Sequence, residues 1–99
     1  MSILHDSVRN ESIEDVKNAL ISGIDINQTD NHNRTALHLA AWKCNVDILS
    51  ILLDNNVNIN AKAMDNFTAL HFAAQNPNGS DFINILIKNN KKLLNERIK

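Results

Sequence analysis

Cysteine occurs once in these 99 residues, at Cys44. No internal disulfide can therefore form, and a reducing, intracellular compartment is expected. Glycine occurs twice and proline once, too few breakers for a turn-rich all-β domain. No apolar run approaches the ~18 residues that a membrane span needs. Residues 1–6 lack the basic and apolar blocks of a secretory leader. Charge of one sign is also missing. Ten Lys and Arg against eleven Asp and Glu leave a net charge of -1, so no overall positive field exists to hold nucleic acid or an anionic membrane. What is present is 43% hydrophobic and 21% charged residues, the balance of a folded chain. The length corresponds to one domain.

An internal repeat organises that domain. Thr35-Ala36-Leu37-His38 recurs thirty-three residues later as Thr68-Ala69-Leu70-His71, and the same step backwards lands on Ser2-Ile3-Leu4-His5. Val16, Leu49 and, one residue late, Ile83 share a second position, as do Ala19, Leu52 and Leu86. Ile24-Asp25-Ile26-Asn27 matches Val57-Asn58-Ile59-Asn60, and a one-residue insertion at 76–80 shifts the last half-copy. Units of this length mark stacked repeat architectures. The register divides the chain at about 1–29, 30–62 and 63–95, with 96–99 as a tail or the start of a truncated fourth copy.

Each copy reads as two short helices. Thr35 supplies an N-cap hydroxyl, after which Leu37, Ala40 and Ala41 fall at helical spacing. Cys44-Asn45 breaks that pattern, Asn45 caps a second helix, and Asn55-Asn56 ends it, since Asn tolerates the left-handed conformation. Ser12 and Gly23 do the same for 13–21. Ser80 is the expected cap for a helix over 81–89 after the Pro77-Asn78-Gly79 turn. Residues 27–34 and 60–67 are too short for further helices and are expected to form turns.

The chain resembles the ankyrin-repeat family. The residues that carry the likeness are Thr35, Leu37, His38, Ala40, Ala41, Ile48, Leu52, Leu53 and Asn60, then Thr68, Leu70, His71, Ala73, Ala74, Ile83 and Leu86. Ala36 and Ala69 replace the usual proline, and Asn33, Asn56 and Asn66 replace usual glycines, a mild change because Asn visits αL. Cys44 stands at another glycine position, where strain is expected. The resemblance implies an all-α solenoid of stacked helix-turn-helix units with projecting turns. It also implies that His5, His38 and His71 each bond backbone groups of a neighbouring turn.

No reactive centre competes with that reading. Histidines one repeat apart lie about a helix diameter, ~10 Å, from each other, too far to share a zinc with nitrogen bonds of ~2.0–2.1 Å. Cys44 has no base or orienting group selected by the sequence. No phosphate-binding glycine loop, His-Glu-x-x-His or Gly-x-Ser-x-Gly is present. Neither an enzyme nor a bound cofactor is expected.

The likeness implies instead a non-catalytic module that binds a protein partner along a concave groove. Trp42 follows the core stripe at the end of a first helix, where the family faces its partner together with the next residue, Lys43. The same positions in the other copies hold Arg9 and Asn10, then Gln75 and Asn76. Turn positions on the same side are Asn31, His32 and Arg34, then Met64, Asp65 and Phe67. An aromatic anchor with a polar, basic rim is what an interface centre needs. The bland alternative packs Trp42 over the adjacent turn, against Phe67. Phe82, Ile83, Leu86 and Ile87 make the last helix apolar almost all round. That face is expected to self-associate, or to take a further repeat, unless Leu93, Leu94 and Ile98 fold back over it. A purely architectural segment of a larger protein, or part of a microbial effector delivered into a host cell, is the alternative to a groove binder.

Overall fold

Every repeated Leu-His word opens a helix. In the computed structural model, which describes the backbone of residues 3–98 and the side chains of residues 3–89, six helices follow one another: α1 (Ile3–Arg9), α2 (Ile13–Ile21), α3 (Ala36–Lys43), α4 (Val46–Asp54), α5 (Ala69–Ala74) and α6 (Ser80–Ile98). No strand occurs among the described residues. The caps expected at Ser12 and Asn45 form. Ser12 Oγ accepts from the Asp15 N–H at 3.3 Å, and Asn45 Oδ1 accepts from the Ile48 N–H at 3.0 Å. Asn33, Asn56 and Asn66 all adopt positive φ, at 59°, 61° and 62°. Cys44 does so as well, with φ 54°, the strained geometry expected where a glycine is usual.

The helices form two layers. α1, α3 and α5 pack side by side within one layer, and α2, α4 and α6 within the other, each inner helix also touching its own outer partner. Ala36, Ala40, Ala41, Ala69 and Ala73 are buried at the inner seams, where small side chains let neighbouring backbones approach. Leu4, Val16, Ile48, Leu49, Leu52 and Phe82 fill the space between layers and carry one continuous core. No unit could bury its apolar face alone, and its neighbours do so.

Residues 60–67 form the expected turn, closed by the Phe67 N–H to Met64 O at 3.3 Å with Asp65 and Asn66 at positive φ. Two expectations need correction. Ser80 is the first residue of α6 and not a cap outside it. The glycine before it is required by space, since a Cβ on Gly79 would collide with the Ala73 carbonyl. Finally, α6 does not end at residue 89 but continues to Ile98. α4 stops because the N–H of Val57, itself buried, returns to Leu52 O at 3.2 Å, an apolar closure of the C-terminal turn. The corresponding residue in the third copy is Lys91, inside α6, and its sequence identity supplies no apolar group for such a closure. The lid expected from Leu93, Leu94 and Ile98 concerns side chains outside the described residues.

Candidate partner-binding groove

The inner layer and the turns before it line one side of the stack, and histidines hold those turns in place. His38 Nδ1 accepts the Thr35 N–H at 2.9 Å, which leaves its proton on Nε2, directed at Ala61 O (3.0 Å) and Phe67 O (3.1 Å). Burial holds the His38 pKa below the ordinary histidine value, against the opposing pull of those two carbonyls. His5 Nε2 reaches Arg34 O at 2.7 Å in the same way. The expected histidine-to-turn bonds therefore exist for two of three copies. His71 accepts the Thr68 N–H at 3.0 Å, but its Nε2 meets no carbonyl among the described residues. His32 lies exposed in a turn.

The first of these turns is built around Asp30, whose side chain is 13% exposed. Its Oδ1 accepts the N–H groups of His32 and Arg34, each at 2.9 Å. Its Oδ2 lies 2.9 Å from Arg34 Nε and 3.7 Å from Arg9 Nη2. Burial by itself would raise the Asp30 pKa, yet these N–H bonds and the Arg34 charge hold it below the usual carboxylate value. Arg9 also pairs with Asp6 at 3.2 Å.

Trp42 stands at the end of α3 and is 58% exposed. It does not pack directly on Phe67. Phe72 lies between them, edge-on to both rings, with centroids 6.1 Å from Trp42 and 5.7 Å from Phe67. Phe72 also meets the His38 ring edge-on at 5.3 Å. Asn76 Nδ2 donates to the Trp42 carbonyl at 3.1 Å and ties the end of α3 to the next copy.

Three adjoining hollows surround this cluster. Arg9, Arg34, Leu39, Trp42 and Lys43 line the first, of about 280 Å³. Trp42, Phe72, Gln75, Asn76 and Pro77 line the second, of about 260 Å³. His32, Arg34, Ala63, Met64, Asp65, Phe67 and Phe72 line the third, of about 250 Å³. Ten of the twelve residues anticipated from the sequence thus gather around Trp42 and Phe72. Asn10 and Asn31 are exposed but line none of these hollows. Leu39 and Phe72 were missed. They occupy one repeat position, and a large apolar residue there, flanked by core Leu and Ala, reads as core although it forms the groove floor.

A family profile of ankyrin repeats in three copies matches residues 4–96. The chain belongs to the ankyrin-repeat family. Ankyrin repeats are generally protein–protein interaction modules and are typically non-catalytic. A stretch of 50 residues, half of this ankyrin chain, is 42% identical to serine/threonine-protein kinase 12 of Arabidopsis thaliana. The chain spans only 11% of that kinase's length.

Two further features bear on what this ankyrin array can do. Burial pushes the Cys44 thiol pKa up, and the thiol donates to Ala41 O at 3.2 Å, the opposite of an activated nucleophile. The two ends of the stack also differ. Leu4 and Leu37 are 0% and 1% exposed, whereas Leu70 at the same position is 43% exposed, because no helix pair lies beyond it among the described residues. Of the four residues expected on an open final face, Phe82 and Leu86 are buried in the core and Ile83 is half-buried. They face α4 and α5, so Ile87, with Leu70, is what remains exposed.

Proposed function

We propose that this ankyrin array is a non-catalytic recognition module that binds a protein partner at the groove around Trp42 and works in a reducing, intracellular compartment. The observation that carries the reading is the exposure of Trp42 between hollows whose walls are otherwise fixed by Asp30, His38 and Asn76. A large exposed indole on a rigid platform forms an interface anchor at low entropic cost. The test is affinity capture on the immobilised protein with mass-spectrometric identification of what binds. Trp42→Ala is expected to weaken the captured partner by about thirtyfold, the scale of a hot-spot residue, without unfolding the chain. Ile21→Ala, an exposed change on the outer layer, is expected to leave capture intact.

A second reading, an architectural segment with no partner in its groove, is supported by the exposure of Leu70 and Ile87 at the end of the stack among the described residues. In that reading these side chains and the Nε2 of His71 meet a further repeat or a second copy of the chain. Capture that survives Trp42→Ala but is lost with Leu70→Asp supports this reading over the first.

A further inference from the structure

Cations gather at one end of the groove. Arg9, Arg34 and Lys43 line the first hollow beside Leu39 and Trp42, with no carboxylate among its lining residues. Asp30 sits behind this wall, 13% exposed, and fixes the Arg34 and Arg9 guanidinium groups at 2.9 and 3.7 Å. Lys43 has no ion-pair partner among the described residues. The second hollow shares Trp42, adds Phe72 and Pro77, and contains no charged residue.

A site with cations at one end and an uncharged aromatic floor at the other favours one kind of occupant. We propose that the groove binds a linear acidic protein segment, with an Asp or Glu side chain entering beside Arg9, Arg34 and Lys43 and a large apolar side chain a few residues away resting on Trp42 and Phe72. This rests on the groove reading above and gives it a partner chemistry. Held guanidinium groups suit a carboxylate because their donor edges are already oriented. A short acidic stretch with an apolar anchor matches both ends of the groove, cations at one and aromatic rings at the other.

The experiment is selection from an unbiased library of displayed twelve-residue peptides on the intact chain, followed by titrations read through the fluorescence of Trp42, the single tryptophan. Enriched peptides are expected to carry excess Asp and Glu near a Leu, Phe or Trp, with the Trp-containing ones titrated as Phe substitutions. Their affinity is expected to fall as salt rises, and to fall by about fivefold or more in Lys43→Glu, the upper range for one partly exposed ion pair. Lys43 is exposed, so an unchanged melting curve separates this effect from unfolding. Neutral or basic peptides that depend on Trp42 overturn the acidic assignment but keep the groove reading. Tighter binding of a dT12 oligonucleotide than of any selected peptide also overturns it. No enrichment over bare support overturns both.

Discussion

Leu37 and Leu70 are the same residue at the same repeat position, and the stack treats them differently. Leu37 is 1% exposed and Leu70 43% exposed, so truncating each to alanine isolates what an overlying repeat contributes. Leu37→Ala removes a fully buried side chain and leaves an enclosed void, which costs ~2–5 kcal/mol. Leu70→Ala removes a side chain that still touches water and encloses no void, so only part of the ~1.5–3 kcal/mol for full burial is lost, about 1 kcal/mol. Unfolding entropy of about 2.1 cal/mol/K per residue gives this chain about 0.2 kcal/mol/K in total. A loss near 3 kcal/mol therefore lowers Tm by about 15 °C, and a loss near 1 kcal/mol by about 5 °C. Circular-dichroism melts paired with urea titrations read both, and equal m-values establish that the same cooperative unit unfolds. Equal losses in the two variants refute the reasoning, because they mean the neighbouring repeat adds nothing at this position.

The remaining predictions concern the core, one cap, one histidine and one strained residue. Leu52→Ala, at a fully buried site between layers, should cost ~2–5 kcal/mol, checked by the same melts. Asn45→Ala, which removes the acceptor for the Ile48 N–H, should cost about 1 kcal/mol in urea. Burial depresses the His38 pKa in the folded chain, so the unfolded chain binds the extra proton first. The His38 contribution is thus intact above the ordinary histidine pKa and lost as pH falls through and below it, at up to about 1.4 kcal/mol per pH unit for one proton. Urea midpoints between pH 7.5 and 5 should show this slope, and His38→Gln should flatten it. Cys44→Gly should raise Tm by relieving its positive φ, whereas Cys44→Val should lose about 1 kcal/mol or more.

Much of this architecture is legible in the residues because it is local and repeated. A thirty-three-residue period, hydroxyl caps at Thr35 and Ser12, and Asn at left-handed positions are each decided by the chain's own neighbours, so the helices over 13–21 and from Ala36 follow from spacing and capping. The periodicity also placed Trp42 outside the core stripe. One period back from Trp42 lies Arg9, whereas Lys43 and Arg34 were expected on that side from the resemblance to the ankyrin family.

Tertiary packing decided the rest. Which side of an apolar helix stays bare depends on what lies across from it, and so Phe82 and Leu86 went inward while Leu70 and Ile87 stayed outside. The role of Phe72 as the ring between Trp42 and Phe67 is a contact between copies that no single repeat encodes. Asp30 likewise became the anchor of two arginines only when α1 was laid against the following turn. Spacing along the chain sets which residues share a face, because helical geometry is local. Only the stacked repeats set which faces meet and which remain open to a partner, because burial is a property of neighbours.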